Sequence, residues 1–188
     1  MLTEDDMDLL LTHDVKIAHN AESNMKLASG IAPVPQLLER GVCVGLGTDG
    51  CASNNNLDLL SEMDTVAKLH KVSTLDPTVL DAETVLAMAT SEGARALGLA
   101  DRIGSLEPGK DADVIIVDTR KPHLTPLYHP ASHLVYAARG GDVDTAIING
   151  RIVMRKRELL TLDLEAVMGN VNQLARTIQE KLPGAVAR

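Results

Sequence analysis

The sequence predicts an α/β fold that turns mostly β in its second half, and three observations carry this. Val42-Cys43-Val44-Gly45-Leu46 is a near-continuous apolar run, the pattern of a strand buried on both faces of a parallel sheet. A second short strand ends at His19, and the 30 residues from there to Asp49 are the length of one βαβ unit. Near residue 100 the texture changes to β-branched runs and turn signals, including the hairpin pair Asn149-Gly150.

Met7 to Leu11 reads as a short helical piece, and Val15–Ala18 as a strand ending at His19-Asn20. A loop rich in Ser, Asn and Gly leads to a helix over Ile31–Arg40, with Pro33 and Pro35 near its start and Gly41 after its end. The strand Val42–Leu46 follows, parallel to the first by the right-handed crossover rule, and ends in Gly47-Thr48-Asp49-Gly50. The polar loop Ser53–Asn56 supplies N-caps for a helix over Leu57–Lys71, whose Leu59, Leu60, Met63, Val66 and Leu69 share one face. A further helix runs from about Asp81 to Leu97, with Gly98 as its stop. Ser105–Lys110 is a turn and Ala112–Val117 a strand. Pro122, Pro126 and Pro130 break the next stretch into a long loop. Thr145–Ile148 and Arg151–Met154 then pair around Asn149-Gly150. Asp163 caps a last helix carrying Leu164, Val167, Met168, Val171, Leu174 and Ile178 at helical spacing, closed by Pro183-Gly184.

Composition narrows the function classes. With 45% hydrophobic and 23% charged residues, the 188-residue chain is globular in type. Its net charge of −8 points away from nucleic acid and anionic membranes. There is no Trp or Phe, and Tyr128 and Tyr136 are the only tyrosines, so no base-stacking platform can form and the core must be aliphatic. Cys43 and Cys51 make no disulfide framework, no apolar run spans a bilayer, and MLTEDDMDLL lacks the pattern of a signal peptide. The expected setting is soluble and cytoplasmic, with no nucleic-acid or membrane partner.

Asp49 is the leading candidate for chemistry. It follows a buried strand at its C-terminal end, where barrel folds place catalytic groups, and Gly45, Gly47 and Gly50 thin the backbone around it. His19 closes the preceding strand and should emerge on the same rim, either as a metal or substrate contact or as an organiser of the Asn20–Asn24 loop. Ser53 lies four residues past Asp49, in reach of a ligand held there, although Ser before a helix is commonly a cap. Cys51 reads as a small filler, because no neighbouring base or cation would lower its pKa. His123, His129 and His133 read as surface or interface residues, and His13 and His70 carry no signal.

Four ordered motifs carry a resemblance that covers nearly the whole chain. They are His19-Asn20-Ala21-Glu22-Ser23-Asn24-Met25-Lys26-Leu27, Gly47-Thr48-Asp49-Gly50-Cys51-Ala52-Ser53-Asn54-Asn55, the run from Ala89 to Gly98, and the run from Ile103 to Val114. Together they resemble the amidohydrolases, and within them most closely the 5-methylthioadenosine/S-adenosylhomocysteine deaminases. The usual form of the first motif is HNPxSNxKL, so Ala21 replaces a proline and should loosen that loop.

The resemblance implies a metal-dependent (β/α)8 barrel, with residues 1–100 holding its strands 7 and 8 and residues 101–188 part of a small β-sandwich with a C-terminal helix. It implies a catalytic zinc, or iron in some relatives, whose bound water attacks C6 of an adenine ring. Asp49 would bind the metal and shuttle the proton toward the leaving ammonia, and Ser53 and His19 would contact the purine nucleoside. The other metal ligands of the family are missing here: the chain holds no His-x-His and no strand-5 histidine. The resemblance therefore implies the C-terminal part of a deaminase, with zinc not held tightly by this part alone and no activity expected from it. Bare strand edges would favour a homo-oligomer. The alternatives are a triazine or chlorohydrolase, another deaminase of the same superfamily, or a non-catalytic self-associating module.

Overall fold

The computed structural model describes residues 2–182, and it opens on a helix whose boundaries are set by a capping box. Helix α1 (Glu4–Thr12) starts at Thr3: the Asp6 amide donates to the Thr3 hydroxyl at 3.2 Å and the Thr3 amide to the Asp6 carboxylate at 2.8 Å. Two otherwise orphaned amides are satisfied this way.

Strands β1 (Ile17–His19) and β2 (Val44–Leu46) pair in parallel, with Ile17 opposite Val44 and His19 opposite Leu46. The connection between them holds more helix at one point, and less at another, than the sequence predicts. Helix α2 (Ala21–Lys26) occupies part of the expected Ser/Asn/Gly loop. Helix α3 (Val34–Glu39) is shorter than the expected Ile31–Arg40. Ala32 precedes a proline, which disfavours helical dihedrals, so the helix begins only after Pro33.

Helix α4 (Leu59–Thr74) is capped by Asp58 rather than by the Ser53–Asn56 loop. Its Oδ1 accepts from the Leu60 amide at 3.0 Å and the Ser61 amide at 3.4 Å, while Leu57, with φ of 50°, lies outside the helix. The expected helix from Asp81 to Leu97 is two: α5 (Ala82–Ala89) and α6 (Ser91–Ala96), broken at Thr90 with φ −126° and ψ −92°. The break seats α6 directly on β2, where a Cβ on Gly45 would stand 2.9 Å from the Cα of Gly93. Gly98, with φ of +69°, takes the left-handed backbone that ends the unit.

The second half is an antiparallel meander in the order β3 (Val114–Val117), β4 (Val143–Ile148), β5 (Arg151–Arg155) and β6 (Glu158–Leu159). Asn149 and Gly150, with φ of 47° and 74°, turn β4 into β5 with the left-handed pair that a type I′ turn requires. The proline-rich stretch is not one loop. It contains a 3-10 turn at Pro122–Leu124 and helix α7 (Pro130–Tyr136). Pro130 takes the first helical position, where its missing N–H leaves nothing unpaired, and Nδ1 of His129 accepts from the Ser132 amide at 3.3 Å. Helix α8 (Leu164–Lys181) is capped by Asp163, which accepts from the Ala166 amide at 3.0 Å, and none of its side chains is buried. The expected stop at Pro183-Gly184 lies outside the described residues.

Val34, Leu37, Val44, Val66, Val85 and Met88 from the first hundred residues form one cluster with Leu124, Val135 and Val143 from the second part. Helix α7 packs on both α4 and α5. The core thus runs across the change of texture near residue 100. Among the described residues, no helix is long and apolar enough to cross a membrane.

Candidate functional site

Asp49 stands three residues beyond β2, on exposed backbone with a left-handed φ of 59°. Two serine hydroxyls donate to the same carboxylate oxygen: Ser53 reaches Oδ2 at 2.6 Å and Ser23 reaches it at 2.8 Å. Oδ1 receives neither hydroxyl. The Ser53 bond, then the Ser23 bond and the Gly50 amide, hold the Asp49 carboxyl below the usual carboxylate range, so it is an anion at neutral pH.

The geometry depends on a polar seam between α2 and the loop after β2. Lys26 Nζ donates to the Ala52 carbonyl at 2.8 Å and to the Asn55 side chain. Asn56 and Thr65 each donate to the Glu22 carboxylate at 2.8 Å. Glu62, fully buried on α4, accepts from the Glu22 amide at 3.1 Å and from Asn54 at 3.3 Å. Burial pushes the Glu62 carboxyl up against the opposing pull of these hydrogen bonds. Asn20 crosses the strand ends so closely that a Cβ on Gly47 would meet its Oδ1 at 2.5 Å. The first two sequence motifs are, physically, the two halves of this seam.

Ser53 lies beside Asp49, as its spacing suggests, and Ser23 joins them; the sequence alone gave Ser23 no individual weight. Only its place in the first motif, with helical backbone turning it under Asp49, sets it there. His19 is oriented differently. Its side chain is 3% exposed, and its Nε2 lies 3.1 Å from Nε2 of His70 on α4, itself 1% exposed. His70, which carries no signal in the sequence, is therefore a buried partner. Burial, joined for His19 by the neighbouring ring, pulls both imidazoles down to about 4, so both are neutral. No direct contact joins His19 to Asp49 in the hydrogen bonds of the described residues, because the ring turns inward beneath α4.

The three other histidines of the second half serve structure. His123 contacts the buried Asp142 carboxylate at 3.0 Å, His129 caps α7, and His133 contacts the Pro126 carbonyl at 2.9 Å. Cys43 is buried and Cys51 exposed, both as free thiols.

Donors for a metal are few. Among the described residues, no three His, Cys, Asp or Glu side chains converge on a common point. Zinc takes three or four protein ligands, and the site offers one carboxylate, that of Asp49, so these residues by themselves do not fit a closed zinc site. A cavity of about 640 Å³ lies elsewhere, between the β1–β2 sheet, α5, α6 and β3. Its walls include Ile17, Leu46, Leu86, Leu97, Ile103 and Val114 but not Asp49, and its lining is mainly apolar.

Comparison with known proteins places these features in context. Residues 1–153 match the amidohydrolase family. The chain is 65% identical over 178 residues to a 5-methylthioadenosine/S-adenosylhomocysteine deaminase from Syntrophobacter fumaroxidans, covering 95% of this chain and 41% of that protein. Among solved structures it is similar to an adenosine deaminase from Xanthomonas campestris with bound zinc, with a TM-score of 0.93 and 44% identity over 96% of this chain and 41% of that one. It is also similar to an atrazine chlorohydrolase from Arthrobacter aurescens complexed with zinc, with a TM-score of 0.83 and 28% identity over 93% of this chain and 39% of that one. The chain thus spans about 41% of the length of the curated relative it matches at 65% identity.

Proposed function

This chain belongs to the amidohydrolase family, and on that premise we propose that its residues form the C-terminal part of a metal-dependent deaminase, which hydrolyses the 6-amino group of adenosine-type nucleosides and releases ammonia. The observation that carries the reading is the Asp49 carboxylate just past the C-terminal end of a parallel strand, with both Ser23 and Ser53 gathered on its Oδ2 and neither on its Oδ1. Identity supports a deaminase over a triazine hydrolase: 44% to the adenosine deaminase against 28% to the atrazine chlorohydrolase.

In this reading β1 and β2 are the seventh and eighth strands of a (β/α)8 barrel, and β3 to β6 belong to a small β-sandwich, with the boundary near residue 100. Asp49 would hold the zinc together with residues outside this chain, and the metal would supply an activated water there. Two donors on Oδ2 favour the Asp49 anion, which suits a ligand more than a resident base. Asp49 would also carry the proton from the attacking water toward the leaving ammonia. Ser53 contacts the purine nucleoside. His19, turned toward His70, acts on the substrate pocket only by holding the start of α2. The protein works in the cytoplasm, as a homo-oligomer that covers its bare strand edges.

The test is to assay adenine-to-hypoxanthine conversion by ultraviolet absorbance, for the chain alone and for the chain fused to the N-terminal remainder of the Syntrophobacter relative. 5-Methylthioadenosine and S-adenosylhomocysteine are the substrates to try. Turnover is expected only from the fusion, and Asp49→Asn, which tolerates the left-handed backbone, should abolish it. Turnover by the chain alone, or a fusion indifferent to Asp49→Asn, would overturn the proposal.

A further inference from the structure

The two serines on Asp49 are not equivalent. The Ser53 hydroxyl has one hydrogen and two acceptors in reach, Asp49 Oδ2 at 2.6 Å and the Gly50 carbonyl at 3.1 Å, and its side chain is only half-buried. A hydroxyl so placed can turn away from Asp49 without stranding itself. Ser23 is 2% exposed, and its hydroxyl has a single acceptor among the described residues, Asp49 Oδ2 at 2.8 Å. Its helix cannot drift, because the flanking Glu22 and Lys26 tie α2 to Asn56, Thr65, Glu62 and the Ala52 carbonyl. Asp49 itself sits on left-handed backbone in an exposed loop, and among the described residues Ser23 and Ser53 are the side chains that donate to its carboxylate.

We propose that Ser23 is the positioning residue for Asp49: it keeps Oδ2 anchored while the Ser53 hydroxyl leaves Asp49 for the substrate. The proposal rests on the deaminase reading above and assigns the two serines different jobs within it. A carboxylate oxygen accepts two hydrogen bonds in the resting state and keeps one when a ligand arrives. Without Ser23, the departure of Ser53 would leave Oδ2 with no serine donor, and misplacement of a reacting group is costly.

Two measurements test this. In the fusion enzyme, Ser23→Ala should lower kcat by about 10- to 100-fold, the usual loss when a group that orients a ligand residue is removed, with KM unchanged. Ser53→Ala should act mainly on KM. Ser23→Thr, which keeps the hydroxyl, should recover most of the lost kcat. In the 188-residue chain alone, Ser23→Ala should speed amide exchange across residues 47–53 while amides of α4 keep their protection. If the unsubstituted fusion does not deaminate, the deaminase reading fails, and the exchange measurement still decides the role of Ser23. A Ser23→Ala fusion with full kcat, or a chain whose 47–53 exchange is unmoved, would overturn the assignment; so would a Ser23→Ala defect confined to KM.

Discussion

The imidazoles of His19 and His70 meet Nε2 to Nε2 at 3.1 Å, with ring centroids 5.2 Å apart, in the interior between β1 and α4. One ring must donate and the other accept, so the accepting ring has to be neutral and the contact is lost once both rings are protonated. Both are held down to about 4 in the fold, against 6.5 for an unperturbed imidazole. Between pH 6.5 and 4 the unfolded chain therefore binds more protons than the folded one, and stability falls as the pH falls. It is fully present above 6.5 and is lost toward 4. Buried Glu62 works the other way, since its raised carboxyl pKa favours folding on acidification, but it is one group against two. The urea midpoint should drop between pH 7 and pH 5, and His70→Gln should flatten the slope. A midpoint constant over that range would refute the neutral pair.

Gly45→Ala should destabilise the protein by about 1 to 3 kcal/mol, the usual cost of overpacking a close contact. The added methyl would stand 2.9 Å from the Gly93 Cα, which is backbone and cannot rotate aside. Urea denaturation measures the loss. Gly50→Ala, where a Cβ meets nothing within 4 Å, is the control and should cost much less.

Asp58 does two jobs, capping α4 through Oδ1 and accepting from the Gly140 amide through Oδ2 at 2.8 Å. Asp58→Ala should cost about 2 kcal/mol or somewhat more, beyond a typical cap, because a second, part-buried donor loses its acceptor. Asp163→Ala, at the exposed start of α8, removes a cap alone and should hardly move the global midpoint. Equal effects from the two substitutions would count against this account of Asp58.

Ending the chain after Leu162 should leave the urea midpoint unchanged, because α8 buries none of its side chains. Leu164, Val171, Leu174 and Ile178, all about half exposed or more, line one face of the helix, and losing that face should reduce self-association in sedimentation. Unfolding of the shortened chain would reveal a contact of α8 that the fold does not contain.

Much of the fold was readable before any coordinates. The parallel pair, the Asn149-Gly150 hairpin and the stop at Gly98 all follow from signals local in sequence: apolar runs, left-handed turn residues, a helix terminator. What escaped depended on distant partners. Nothing near Thr90 announces a break, since the break answers to the approach of Gly45 to Gly93. His70 looks like any polar helical residue until β1 brings His19 beneath it. The site divided in the same way. Asp49 and Ser53 share one loop and could be linked by spacing, whereas Ser23 reaches Asp49 across 26 residues through a helix that reads as loop. The sequence points to Ser53–Asn56 for the cap of α4 because four polar residues stand together there, and only Leu57, at positive φ, separates them from the actual cap, Asp58.

Helix α7 has a consequence for anyone who would shuffle this protein with its relatives. The change of texture near residue 100 invites a crossover point there, yet Leu124, Val135 and Val143 complete the core built by α4 and α5. A chimera joined at residue 100 would bring together two surfaces that had adapted to different neighbours, and Val66 and Met88 would meet strangers. Moving the join past β4, so that α7 travels with the helices it covers, keeps those neighbours together. The seams at which such a protein tolerates recombination are thus drawn by packing, and they run about fifty residues downstream of where composition would draw them.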